Sequence, residues 1–241
     1  MILGGYPSVG QVRSPNGRHF CFLNNVEETD NVRREFRGSF LDRPAALEQG
    51  KDRRSEAALT LKQILAIRIR LQMNRRLRDL ALFNLAIDSK LRGCDLVRLR
   101  VRDVVHGGQV VTRATVMQRK TGQPVRFEVT EQTRDAVRAW IAERELSAAD
   151  FLFPSRIHAS RHLSTRQYAR IVHGWVALIG LDSGEYGTHS LRRTKATLIY
   201  RRTKNLRAVQ LLLGHANIQI TINYLGVEID HALEIAEHTE I

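Results

Sequence analysis

Leu77 to Ile87 is the stretch that most limits how this chain can fold. Leu77, Leu80, Leu82, Phe83, Leu85 and Ile87 fall on almost every face of one helical run. A helix with no polar side to give to water belongs inside a protein, with other elements laid around it. The segment before it supplies one partner. Leu61, Ile64, Leu65, Ile67 and Leu71 follow helical spacing behind Thr60, which predicts a capped helix.

Residues 109–130 change period. Val110, Val111, Ala114 and Val116 run up to Thr121-Gly122, and Val125, Phe127 and Val129 then alternate, which predicts a β-hairpin with Lys120 at its turn. Glu131 to Arg144 reads as a helix with Val137, Trp140 and Ile141 turned inward, Phe151 to Pro154 as a short extended piece, and Thr165 to Ile179 as a further helix. The expected class is therefore mainly α with a small β-hairpin or sheet, an α+β domain spanning 56–241. Val227, Ile229, Leu233, Ile235 and Ala236 predict a C-terminal tail helix at about 227–238, whose apolar stripe needs a home in the same subunit or on a neighbour. Residues 1–55, rich in Gly, Asn, Arg and Asp, read as an irregular, flexible N-terminal segment.

Charge narrows the partner. Thirty-eight Lys and Arg stand against 25 Asp and Glu, a net charge of +13, which points to a polyanion. Aromatics are 6%, too few for stacking platforms along a single strand, so duplex backbone is the expected contact. Cys21 and Cys94 have neither metal-ligand nor redox spacing, and no apolar run approaches a membrane span or a signal peptide. The expectation is a cytoplasmic, nucleoid-associated protein with no membrane partner, no small-molecule substrate, no cofactor and no metal. His231 and His238 could share a helix face, but no companion ligands follow a metal-site pattern.

Between Thr188 and Gly226 polar residues are set around apolar helical runs. His189 and Arg192 are three apart and share a helix face, with Thr188 or Ser190 as the cap. Arg192 is a permanent fork for two phosphate oxygens, and His189 can hydrogen-bond or move a proton near neutral pH. Val209, Leu212 and Leu213 end at Gly214, a helix stop that leaves His215 presented on a turn. Asn217 can cap a short helix with Tyr224 near its end. A tyrosine of free pKa about 10 needs cationic neighbours or a base before it can attack anything. Taken together, these side chains read as surrounding one phosphate.

In this order the residues resemble the C-terminal signature of the tyrosine recombinase (phage integrase) family: His189-Ser190-Leu191-Arg192-Arg193, Leu212-Leu213-Gly214-His215 and Thr221-Ile222-Asn223-Tyr224. The resemblance implies a catalytic set of Arg92, Lys120, His189, Arg192, His215 and Tyr224. Tyr224 would attack a DNA phosphate to form a 3′-phosphotyrosyl link. Arg92 and Arg192 would hold the non-bridging oxygens, His189 would act as base or shuttle, and His215 would add a hydrogen bond. Lys120, with Arg119 as its competitor, would protonate the leaving 5′ oxygen. It also implies self-association into a synaptic tetramer on double-stranded DNA. The family's Gly-x-Arg-x-x-Glu-Leu step is altered here: Ser89-Lys90-Leu91 precede Arg92, Gly93 follows it, and the acid is Asp95, expected to hold an arginine or cap a helix. Gly93 is expected to let a ligand approach the backbone. On residue chemistry alone Arg92 reads rather as a charge complementing a helix C-terminus, and the downstream motif turns the reading towards catalysis. The family's sizeable N-terminal helical DNA-binding domain finds no counterpart in 1–55. The alternatives are a type IB topoisomerase-like enzyme and a DNA-binding regulator with weak or lost catalysis.

Overall fold

The computed structural model describes residues 56–156 and 161–226. The N-terminal segment 1–55, the tail helix at about 227–238, His231 and His238 lie outside the described residues. The order is α1 (Leu61–Met73), α2 (Leu77–Ser89), the short α3 (Gly93–Leu96), a 3₁₀ turn (Val101–Asp103), β1 (Val105–His106), β2 (Gln109–Val110), β3 (Arg113–Met117), β4 (Pro124–Glu128), α4 (Glu131–Glu143), α5 (Thr165–Ala177), α6 (Thr188–Thr203), α7 (Leu206–Leu213) and α8 (Ile218–Leu225). This is the expected mainly helical domain with small antiparallel sheets. Among the described residues no helix is long and apolar enough to cross a membrane.

The apolar run at Leu77–Ile87 is the central helix. Every residue of α2 from Asp79 to Ser89 is buried, and α1, α4, α6 and β4 pack around it. Phe83 meets Trp175 of α5 edge to face at 5.4 Å, and Tyr168 meets the same indole at 6.5 Å. A smaller apolar cluster, Ala196, Tyr200, Val209 and Leu213, joins α6 to α7, with Tyr224 and Leu225 of α8 packed on its edge.

Thr60 caps α1 as expected. Its hydroxyl accepts from the Gln63 amide, and Gln63 returns a bond to the Thr60 amide. The apolar residues of α1 divide between two faces: Ile64, Ile67 and Leu71 are buried, while Leu61 and Leu65 are 62% and 54% exposed. Leu61, Leu65, Ile69 and Met73 recur every fourth residue and form a second, exposed stripe. Only the first stripe faces α2. The strand reading also needs correction. The main hairpin is β3 on β4, with Ala114 opposite Phe127 and Val116 opposite Val125. Gln109–Val110 pairs instead with Val105–His106 in a separate two-stranded ladder.

Four segments are tied by a network of charges around Asp88. Lys90 replaces the glycine of the resembled step, and its backbone takes the left-handed conformation that glycine favours (φ 54°). Its side chain is fully buried, with Nζ donating to the Asp88 carbonyl at 2.6 Å and facing Glu128 of β4 at 3.4 Å. Lys195 of α6 binds Asp88 at 2.8 Å and Glu128 at 2.5 Å. The other oxygen of Asp88 accepts from the Thr130 amide and from the Thr130 and Thr133 hydroxyls at the start of α4. Despite burial, these partners hold the Asp88 carboxyl below its usual range, whereas burial pushes the Lys90 ammonium down. Removing Asp88 leaves the buried Lys90 and the largely buried Lys195 with only the partly exposed Glu128 as a carboxylate partner. Asp88→Ala is therefore expected to destabilise the fold by about 3–5 kcal/mol. A urea midpoint corresponding to less than about 1 kcal/mol of loss would mean that the lysines find other partners.

Candidate active site

The site is assembled from the turn after α2, the β3–β4 hairpin, the first turns of α6, and the α7–α8 corner. Arg92 begins α3 as its N-cap residue. It is not a charge trailing α2, because Lys90 has already ended that helix. Its Nη1 donates to the side-chain oxygen of Gln118 at the end of β3. Gln118, 1% exposed, also accepts from the Thr121 hydroxyl at 3.0 Å and donates to the Leu213 carbonyl at 3.2 Å. One amide thus joins the first arginine, the hairpin turn and the end of α7.

Arg192, on α6, is 3% exposed. Its Nη2 donates to the same Leu213 carbonyl at 2.8 Å and lies 3.4 Å from His215 Nε2. Its buried Nη1 has no hydrogen-bond partner among the described residues. Burial pulls its pKa down and nearby Arg92 does the same, while Tyr224 opposes them. A guanidinium can only donate. His215 Nε2 is therefore the acceptor, and Nδ1 carries the proton to Thr221 Oγ1 at 3.1 Å. Burial, then Arg192 and Arg92, depress the His215 pKa to about 4, so the ring is neutral at pH 7.

The α7–α8 corner forms as the sequence indicates. Gly214 ends α7 at φ 63°, and Asn217 caps α8 by accepting from the Gln219 amide at 2.8 Å. A Cβ on Gly214 would lie 2.5 Å from Val125 of β4 and 3.1 Å from Gln118, so the glycine also lets the hairpin seat against the corner. Tyr224 stands edge to face with the His215 ring at 5.4 Å and has Arg193 over its own ring at 5.8 Å. Its hydroxyl donates to the His189 carbonyl at 3.5 Å. Burial pushes the phenol up to about 12 against the pull of Arg192 and Arg193.

Some expected details differ. Neither Thr188 nor Ser190 is the cap residue of α6; Gly187 is, and the Ser190 hydroxyl accepts from its amide at 3.1 Å. The first-turn amides of His189 and Ser190 are bound by the Glu56 carboxylate at 2.9 and 3.1 Å, an anion at the positive end of a helix. Among the described residues Asp95 holds no arginine side chain. Its Oδ1 accepts from the Arg119 amide at 3.1 Å and so ties the hairpin turn to α3. Gly93 is close to the Tyr168 ring, where an added Cβ would sit at 3.3 Å, so the backbone approach there serves packing. Lys120 and Arg119 are exposed in the turn, and Lys120 makes no ion pair among the described residues. The structure brings Arg92, Arg192, His215 and Tyr224 together, with the His189 backbone beside Tyr224, and sets Lys120 on the adjoining hairpin. Gln118 and Glu56 were missed. Gln118, two residues before Lys120 at the end of an alternating strand, carried a weak signal; Glu56 had none. Among the described residues no group of His, Cys, Asp and Glu could hold a metal.

The fold and this cluster define an anion-directed site on a mainly helical α+β domain. The profile of the Phage integrase family matches residues 57–231, and the chain belongs to that family. Among its relatives, the probable integrase/recombinase YoeC of Bacillus subtilis is 30% identical over 162 residues, covering 66% of this chain and 82% of that protein. The tyrosine recombinase XerD of Xanthomonas axonopodis pv. citri is 31% identical over 161 residues, covering 64% of this chain and 52% of that protein. The chain thus spans about half the length of that recombinase. Similar solved folds include the XerH site-specific recombinase bound to difH substrate (TM-score 0.61, 20% identity, 77% of this chain, 55% of that chain) and the XerA recombinase (TM-score 0.62, 18% identity, 77% of this chain, 66% of that chain).

Two outcomes follow from the geometry. Gln118→Leu keeps volume but removes three hydrogen bonds from a buried junction, and chemical denaturation is expected to show a loss of about 1–3 kcal/mol. For His215 the folded pKa of about 4 lies below the free value near 6.5. Between those values the unfolded chain binds a proton that the folded chain refuses, so stability falls as pH drops through this window. Thermal unfolding from pH 7 to 4.5 is expected to show a smaller loss of Tm in His215→Asn than in wild type; equal losses would mean that other groups carry the acid sensitivity.

Proposed function

We propose that this protein breaks and rejoins duplex DNA through a 3′-phosphotyrosyl intermediate, as a site-specific recombinase or integrase. The observation that carries the reading is the buried Arg192 guanidinium, which has both Arg92 and Tyr224 as electrostatic neighbours and an Nη1 without a partner among the described residues. An anion with several oxygens satisfies those donors, and a phosphodiester matches them. The net charge of +13 and the likeness in fold to XerH bound to its difH substrate support DNA as that anion.

In this mechanism the Tyr224 oxygen attacks phosphorus, the bond from phosphorus to the 5′ oxygen breaks, and the phosphate stays on Tyr224. Arg92 and Arg192 bind the non-bridging oxygens most strongly in the pentavalent transition state, where charge is greatest. Phosphoryl transfer is mainly positioning and electrostatics, so fixed guanidiniums suit it. The Tyr224 proton passes to His189, and Lys120 protonates the departing 5′ oxygen. A phenol near 12 is a weak nucleophile at neutral pH, so removal of its proton and charge stabilisation by the arginines carry the step. His215, neutral and accepting from Arg192, first fixes that arginine. To donate to a phosphate oxygen it must move its proton to Nε2. The exchanged bond is of the same class as the broken one, so resealing needs no nucleotide. Assembly of four protomers on DNA, in the cytoplasm and at the nucleoid, belongs to the same proposal.

A nicked suicide duplex tests the reading on a denaturing gel. Wild type is expected to give a shifted protein–DNA band and Tyr224→Phe none, with DNA binding retained. Lys120→Ala is expected to cleave slowly, by a factor of about 10²–10⁴, and to recover on a duplex whose 5′-bridging oxygen is sulfur, since a thiolate leaves unprotonated. Rescue of Arg119→Ala instead would transfer the acid role to Arg119. No band from wild type on DNA that it binds would favour the regulator.

A further inference from the structure

We propose that the cleft at the turn between α1 and α2 is a second anion site, which takes phosphate groups and is separate from the Arg92–Arg192 cluster. The cleft has a volume of about 520 Å³, and its wall includes Arg75, Arg76 and Arg78 from the turn and the start of α2, and Arg156 from the segment before α5. The turn is tight: Arg75 has φ 48°, its amide donates to Gln72 and that of Arg76 to Leu71. Consecutive arginines are thereby held at one spot and do not trail into solvent with the helix.

The acids on the wall do not cancel them. Asp79 is engaged by Arg78 at 2.7 Å and accepts from the Trp175 indole at 3.4 Å. Glu143 is the second acid of the wall and is exposed. Arg75, Arg76 and Arg156 are exposed and make no ion pair among the described residues. Four guanidiniums against two carboxylates leave the cleft positive. Helix α2 begins here, and the one acid of its first turn, Asp79, is already engaged by Arg78. Trp140 spends its indole N–H on the Leu152 carbonyl at 2.7 Å and presents a wall rather than a competing donor. Permanent forks around a recess suit phosphate oxygens.

The cleft and Arg92 lie at opposite ends of α2, whose 13 residues span roughly 20 Å. One phosphate cannot serve both. The phosphate at the cleft has two possible sources, a remote part of the backbone of a bound duplex or a free polyphosphate, and both present the same chemistry.

Two binding measurements on the full chain separate them, and neither needs strand cleavage, so failure of the strand-transfer reading leaves this result standing. Duplex affinity is followed by anisotropy over a salt series, and tripolyphosphate binding by calorimetry at low salt. Arg75→Gln/Arg76→Gln and, separately, Arg156→Gln in exposed coil are compared with wild type, with unfolding midpoints as the control for folding. For the double variant we expect a loss of duplex affinity of about fivefold or more and a salt slope shallower by about 1–2. Loss of tripolyphosphate binding with duplex binding intact would identify a small polyphosphate as the occupant. Unchanged binding of both probes in both folded variants would overturn the site.

Discussion

A permanent charge buried at 3% exposure governs this structure. Arg192 cannot shed its proton as a buried lysine can, so the protein must surround it with acceptors or leave donors waiting. It does both. The Leu213 carbonyl and His215 Nε2 take one nitrogen, and the other is left unpaired among the described residues. The α7–α8 corner is shaped by this need. Leu213 presents its carbonyl because Gly214 turns the chain there, and the same turn delivers His215 and then Tyr224 to the guanidinium.

The remaining site parts are positioned from behind, by two polar junctions of different character. Gln118 is neutral and makes short-range bonds to Arg92, the hairpin turn and the Leu213 carbonyl, so it sets the spacing between two arginines that repel each other. The Asp88, Glu128, Lys90 and Lys195 network is ionic and joins α2, β4, α4 and α6. Lys90 belongs to it only because its backbone adopts a conformation that glycine would take at no steric cost. A lysine there accepts backbone strain and in return reaches Asp88 and Glu128.

The electrostatics of the cluster are set by burial. Burial raises the phenol and lowers His215 and Arg192, each shift disfavouring the charged form. Lys120, exposed on the hairpin, stands outside this desolvated set.

Much of the fold was legible because local rules carry it. The all-apolar faces of Leu77–Ile87, the Thr60 cap, the Gly214 stop and the Asn217 cap depend on period and backbone conformation, which neighbours in sequence decide. The order of His189, Arg192, His215 and Tyr224 was equally local, since α6, α7 and α8 follow one another with short links. Partnership across long separations was not legible. Nothing in Asp88, Lys195 or Glu56 marks a buried carboxylate, its lysine or a helix cap, because each gains its role from a partner more than a hundred residues away. The exposure of Leu61 and Leu65 was hidden for the same reason: two apolar stripes on one helix look alike until packing chooses between them. Sequence determined which residues could form the site, through helical spacing and turn chemistry. Only tertiary structure decided how they are held, because burial and hydrogen-bond satisfaction belong to contacts between segments.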